Sequence, residues 1–256
     1  MQFLQFKIFE PYFAELKHGI SMREAGVSKG YLASLNLSLL KDESELPENV
    51  EENYRRFCEA IGVDKSKLAL GYQCHEDKIV ELFEEDVRGR EFGLDKAFEG
   101  VDGLITNARN LPLLVRFADC QGVLFFDPIK KVIAAVHSGW RGNAKNIIGK
   151  AVELMKKDFG CDAANILAGI SQSLGPCCAE FTFPLIELPK FLHKYLDDKN
   201  KVDLWKCSKD QLQEAGVLPQ NIEITSRCTV CENNVFFSYR GGNKKTGHMG
   251  AIIQLV

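Results

Sequence analysis

The sequence predicts an α+β fold in a single domain spanning residues 1–256, and three observations lead there. Apolar residues recur at both the strand period and the helix period, interleaved along the chain without strict β-α-β alternation. No Pro-, Ser- or Gly-rich linker and no abrupt shift in composition divides the chain. With 45% hydrophobic residues over 256 positions, one substantial core can be buried.

The elements follow in order. MQFLQFKIFEPYF, Met1–Phe13, is apolar but lacks a basic flank and a small-residue cleavage site, so it is expected to be a first strand rather than a signal peptide. Pro47 to Gly62 carries Pro at its start, acids in the first turn and Gly at its end, the punctuation of a helix. LALGYQCH and KIVELF are short strand candidates around His75. Leu111, Leu113, Val115 and Phe117 alternate, and a hairpin follows: strands Val123–Phe126 and Val132–Val136 joined at Asp127-Pro128. From Asn143 to Phe159, Ile147, Ile148, Ala151, Val152 and Met155 share one helical face, with Gly160 as the stop. ILAGIS predicts a strand, PLIELPKFLHKYL a Pro-interrupted helical region and SKDQLQEAG a short helix. NIEIT, VFFSYR and GAIIQLV are expected to close the chain as strands.

Bulk chemistry narrows the function. A net charge of -3 and a pI near 6.0 give no electrostatic reason to expect nucleic acid or an anionic membrane as partner. No apolar run is long enough to span a bilayer. Nine cysteines, an odd number, with no export signal point to reduced thiols and a cytoplasmic protein.

The chemistry-bearing residues gather at predicted strand ends. His75 (in GYQCHED), Cys120 (in ADC) and His137 (in HSGWRG) lie where strands feed loops, the usual place for a site on a rigid scaffold. Two imidazoles and a thiolate make a three-ligand zinc set that leaves a fourth position open, as catalytic zinc requires. The same residues can also be read as a buried Cys and two hydrogen-bonded His with no metal. GWRGN, Gly139–Asn143, precedes a predicted helix, so its backbone N–H groups and Arg141 suit an anion; a tight turn with a solvated Arg is the alternative. Cys228 and Cys231 form a lone CxxC without a second pair at zinc-ribbon spacing, and the vicinal Cys177-Cys178 reads as structural.

QCH at His75, DGLIT, ADC at Cys120, HSGWRG at His137, SLGPCC, CT at Cys228 and FFSYR together closely resemble the laccase-domain family, also called the multicopper polyphenol oxidoreductase family, which includes the bacterial peptidoglycan editing factor. HGISMREAGVSKGYLASLNLS resembles the family's opening, with Arg23 and Asn36 in matching places, and the similarity runs from about residue 18 onward. The resemblance implies a stacked α/β/β/α fold and a zinc held by His75, Cys120 and His137. It also implies phosphorolysis of adenosine, inosine or methylthioadenosine and deamination of adenosine, with small-molecule nucleosides and phosphate as partners. Arg141, Arg23, Asn36 and Gln73 are the candidates for holding substrate or phosphate, and Asp119 and Gln73 stand nearest in sequence to the ligands without an assignable proton-donor role. The family's copper label is at odds with ligand counting: a multicopper set needs many imidazoles, and the chain has five His. The chain departs from the pattern at Ser138, at Ser171-Gln172, and at Gly241 and His248, where Arg is common in the family.

Two other functions use the same residues. Cys120 as thiolate nucleophile with His137 as base would make a cysteine hydrolase acting on cell-wall precursors, tolerant of changes at His75. A purine- or metal-binding regulator would bind ligand without turnover.

Overall fold

In a strand that is apolar on both faces, odd and even residues must each find a core, and here they do. The computed structural model describes residues 1–39, 44–87 and 99–256. Its strands are β1 (Phe3–Leu4), β2 (Leu16–Ser21), β3 (Ala69–Leu70), β4 (Ile79–Glu81), β5 (Gly103–Thr106), β6 (Leu113–Phe117), β7 (Gln121–Asp127), β8 (Val132–Ser138), β9 (Leu167–Ile170), β10 (Ile222–Ile224) and β11 (Met249–Leu255). They form two mixed sheets, ordered β1-β2-β11-β6-β3 and β10-β9-β7-β8-β5-β4.

Side-chain alternation assigns the layers. Leu124 and Phe126 of β7 and Ile133 and Ala135 of β8 face Leu113, Val115 and Phe117 of β6 and Ala251 and Ile253 of β11, filling the space between the sheets. Their neighbours Val123, Phe125, Val132, Ala134 and Val136 turn outward, against Ile148, Ala151, Val152 and Met155. On the other side, Leu114 and Ile252 meet Val50, Tyr54 and Phe57. The helices supplying those outer faces are α1 (Pro47–Ile61), α4 (Ile147–Phe159) and α6 (Leu204–Glu214), with α2 (Glu84–Val87), α3 (Trp140–Ala144) and α5 (Pro184–Glu187) as short turns. The expected α/β/β/α stack is the observed architecture.

Helix ends follow local chemistry. Pro47 opens α1, and Gly62, at φ 78°, caps it by donating to the Cys58 and Glu59 carbonyls. The single helix expected over Asn143–Phe159 is instead broken: Asn146 adopts a left-handed conformation (φ 55°), ends α3, and caps α4 by accepting the Gly149 N–H.

Two further expectations are corrected, and one strand is added. Met1–Phe13 pairs only at Phe3–Leu4; beyond it the chain turns through a 3-10 segment, Lys7–Tyr12, containing Pro11, and sinks Phe6 and Phe9 into the core. The long early strand is β2, over Leu16–Ser21, a stretch for which no element was expected. VFFSYR is not a strand: Phe236 and Phe237 are both fully buried, and the N–H groups of Val235 and Phe236 both return to the Glu232 carbonyl in turns. Among the described residues no helix is long and apolar enough to cross a membrane.

Candidate metal centre

Period-two alternation also aims the site residues. Ile133 and Ala135 face the space between the sheets, so His137, two residues on, faces the same way at the end of β8. Across the hairpin His137 pairs with Gly122, which brings Cys120, just ahead of β7, to the same end. His75 arrives from the loop after β3, held at φ 62°. One ligand atom from each of His75, Cys120 and His137 lies within 4.8 Å of the others, and the two imidazoles cross edge to face at 4.9 Å.

Asp102, at the entry to β5, organises this trio. Its fully buried carboxylate accepts the backbone N–H groups of Cys74 (3.0 Å), His75 (3.0 Å) and Glu76 (2.9 Å), and it meets His137 Nδ1 at 2.8 Å. One carboxylate therefore sets the loop bearing His75 and the ring of His137. With Nδ1 engaged, His137 presents Nε2 to the site. On the surface, ion pairs of Glu76 with Lys145 and Asp77 with Lys150 tie the same loop to α3 and α4.

Electrostatics prepare the thiol. Burial opposes a charge on Cys120, yet His137 and His75 overcome it and bring its pKa down to about 6. Burial likewise works against an imidazolium at His137, and the Cys120 thiolate and Asp102 reverse this, raising it to about 9. Without metal the pair is a thiolate facing an imidazolium near neutral pH. Gly139 keeps the space open: a Cβ there would fall 2.6 Å from Cys120 Sγ and 3.5 Å from His75 Cδ2. A deprotonated sulfur, an oriented ring nitrogen and a second imidazole without a side chain wedged among them suit a metal ion.

The other predicted site residues divide. Arg141 is exposed, stacks on Trp140 at 4.3 Å, and has no ion pair among the described residues. Gln73 spends its amide on the backbone of Arg116, donating to its carbonyl (2.7 Å) and accepting its N–H (2.8 Å). Arg23 donates to the carbonyls of Ala33 (2.7 Å), Asn233 (2.8 Å) and Tyr31 (3.2 Å) and lies over Phe237. Asn36 is fully buried, bonding Ser38, Glu45 and the His248 N–H. Asp119, at φ 79°, accepts Thr229 Oγ1 and Ser238 Oγ (both 2.6 Å) and the Arg240 N–H (2.7 Å). Arg23, Asn36 and Asp119 thus hold loops with the groups they offer. His248 stands within electrostatic reach of the centre: burial first, then Arg116, His137 and His75, push its pKa down to about 3 and keep it neutral. Its Nδ1 is buried with no hydrogen-bond partner among the described residues.

The model of a family described as multi-copper polyphenol oxidoreductase laccase matches residues 17–256. The chain belongs to this family. Within the laccase family, it is 30% identical over 252 residues to purine nucleoside phosphorylase YlmD of Geobacillus stearothermophilus, covering 95% of this chain and 91% of that one. The crystal structure of that YlmD superposes with a TM-score of 0.86 over 99% of this chain and 98% of the other. It is 33% identical over 234 residues to purine nucleoside phosphorylase LACC1 of mouse, covering 87% of this chain; the chain spans 51% of the mammalian protein's length. The crystal structure of the Bacillus licheniformis hypothetical protein YfiH gives a TM-score of 0.86 at 30% identity, covering 94% of this chain and 93% of the other. Against the family's copper name, His18 stands apart, accepting the Phe6 N–H among Phe6, Phe9 and Phe13, and His193 Nε2 lies 3.0 Å from the Leu188 carbonyl. Among the described residues, the one cluster of candidate ligands containing His is the trio at Cys120.

Proposed function

We propose that this protein is a zinc-dependent purine nucleoside phosphorylase that cleaves adenosine, inosine or methylthioadenosine with phosphate and also deaminates adenosine. The observation that carries the reading is the convergence of His75, Cys120 and His137 around one point, oriented by Asp102, in a chain whose relatives are named purine nucleoside phosphorylases. The donor set favours zinc: one thiolate and two neutral imidazoles, with His18 and His193 engaged elsewhere. When bound, zinc supplies Lewis acidity and promotes ionisation of water near neutral pH.

The chain's own residues do the rest. Asp102 keeps the His137 proton on Nδ1, so Nε2 stays available as a ligand. Arg141, without an ion pair among the described residues and braced on Trp140, is suited to receive phosphate and hold it for approach to C1′ of the ribose, with the N–H groups at the start of α3 beside it. Arg23, Asn36 and Gln73 contribute by fixing the loops around the substrate rather than with free donors.

A second reading has its own observation. Cys120, His137 and Asp102 line up as thiolate, imidazole and orienting carboxylate, the arrangement of a cysteine hydrolase, and such an enzyme would edit peptidoglycan precursors without metal.

One experiment separates them. Zinc-replete protein is incubated with adenosine, with and without phosphate, beside Cys120→Ala and His75→Ala. Adenine and ribose 1-phosphate appearing only with phosphate, and inosine in either case, with both activities lost in both variants together with the metal of this centre, is the expected result. No purine turnover refutes the proposal. Full activity of His75→Ala without metal overturns the zinc assignment, and turnover of a peptidoglycan precursor by that variant in place of adenosine favours the hydrolase.

A further inference from the structure

The lone CxxC of the sequence is not alone in space. The turn after β9 carries Cys177 and Cys178, and the chain after β10 carries Cys228 and Cys231; all four sulfurs lie within 4.8 Å of one another. Cys231 Sγ is 3.5 Å from Cys177 Sγ and 3.5 Å from Cys178 Sγ, so neither is singled out as a disulfide partner. Four thiolates at the zinc–sulfur distance of about 2.3 Å sit at tetrahedron corners about 3.8 Å apart. The observed spacings, 3.5 Å for two pairs and within 4.8 Å for all, bracket that figure, whereas a disulfide needs two sulfurs drawn together to about 2.05 Å.

We propose that Cys177, Cys178, Cys228 and Cys231 form a second, structural metal site, a closed four-thiolate centre for zinc or a similarly soft divalent cation. Backbone donors gather on the Cys228 sulfur. The buried Cys228 sulfur accepts the Gly175 N–H at 3.4 Å, and the N–H groups of Val230 and Cys231, from its own CxxC turn, also point to it. Gly175 must be glycine for this approach, because a Cβ would fall 3.0 Å from the Cys228 Cβ and 2.8 Å from Trp205. Four thiolates around a divalent ion leave a net charge of two negatives. Two cations stand ready: Lys201 Nζ donates to the Cys177 carbonyl (2.5 Å), and Arg240 donates to the carbonyls of Cys178 (2.8 Å) and Glu180 (2.6 Å).

Its place in the fold gives the centre a purpose. Cys228 bridges to Ser173 in parallel register, so the site cross-links the two loops leaving β9 and β10. Thr229, inside the CxxC, donates to Asp119, and the Asp119 carbonyl accepts the Leu174 N–H at 2.7 Å. Asp119 is the residue before Cys120. The second metal would therefore staple the loops that set the thiolate ligand of the first.

The test counts metal in the full-length protein, independently of catalysis. Zinc per chain is measured in the native protein, in Cys120→Ala and in Cys231→Ser. Two equivalents in the native chain, and one in each variant, are expected. Since Cys231→Ser could fail to fold, alkylation of the native protein is also mapped by peptide mass spectrometry. Cys177, Cys178 and Cys231 should resist alkylation and become reactive once a strong chelator is added, in Cys120→Ala as in the native chain. Two outcomes would overturn the proposal: Cys231→Ser retaining the native zinc content, or zinc-replete native protein whose exposed cluster thiols alkylate at the same rate with and without chelator. Recovery of the four cysteines as disulfides under reducing, zinc-replete conditions would equally refute it.

Discussion

Replacing Asp102 by Asn tests whether a single carboxylate organises the metal centre. Each Asp102 oxygen serves two donors: Oδ1 takes the His75 N–H and His137, and Oδ2 takes the N–H groups of Cys74 and Glu76. An amide of the same shape has one acceptor atom. If that oxygen replaces Oδ1, its NH2 confronts the Cys74 and Glu76 N–H groups. If it replaces Oδ2, the NH2 confronts the His75 N–H and forces His137 to carry its proton on Nε2, where the metal must bind. Either way two hydrogen bonds to a charged, buried acceptor are lost, worth about 1.5–3 kcal/mol each, so about 3 kcal/mol is a lower figure. For a chain of this size, about 2–4 °C per kcal/mol makes the expected fall in Tm about 6–12 °C. Metal affinity should drop about ten- to a hundredfold, the usual cost of removing a ligand's supporting partner. Thermal melts of the metal-free protein and competition with a chromophoric chelator give the two numbers. A variant that melts with the native protein and binds metal equally well would refute the role assigned to Asp102.

Gly139→Ala should cost metal binding more than folding, because the added methyl meets Cys120 Sγ at 2.6 Å; zinc content beside an unchanged circular dichroism spectrum checks this. In metal-stripped protein, alkylation of Cys120, followed on its own peptide, should rise with pH through about 6 rather than through the ordinary thiol range near 9. The sign follows from linkage: the pair holds one proton between about 6 and about 9, so metal binding at pH 7 displaces that proton and affinity weakens as pH falls. A pH-independent affinity would contradict the thiolate–imidazolium pair. Phe126→Ala, a fully buried ring between the sheets, should cost about 3–5 kcal/mol, read as a fall in Tm.

Two of the candidate ligands, Cys120 and His137, were legible because each stands at the end of a strongly apolar strand, where a polar residue is conspicuous, while His75 lies in a loop beyond the short β3. Asp102 escaped notice: DGLIT reads as a strand entry, and nothing local reveals a carboxylate whose partners lie 26 to 35 residues away. The four-cysteine cluster was hidden for the same reason, its halves separated by 53 and 54 residues. Arg23 and Asn36 were marked by their resemblance to the family's opening, but their hydrogen bonds are made to the backbone and buried side chains, which pattern alone does not reveal. Where local propensity governed, as in α1 with Pro47 and Gly62 at its ends, expectation and structure coincide. Where tertiary contact governed, as in the paired burial of Phe236 and Phe237, alternation misled.

The order of strands bears on how the molecule is made. β11 lies between β2 and β6 at the centre of its sheet, and Met249, Ala251, Ile253 and Leu255 contribute to the core shared by both sheets. A ribosome delivers those residues after every other described strand. Until then β2 and β6 have no strand to bridge them, and the hairpin bearing Cys120 and His137 faces an opposing layer that lacks its central strand. That sheet therefore stays open at its middle until β11 is inserted, and the facing edges of β2 and β6 remain unpaired in the meantime.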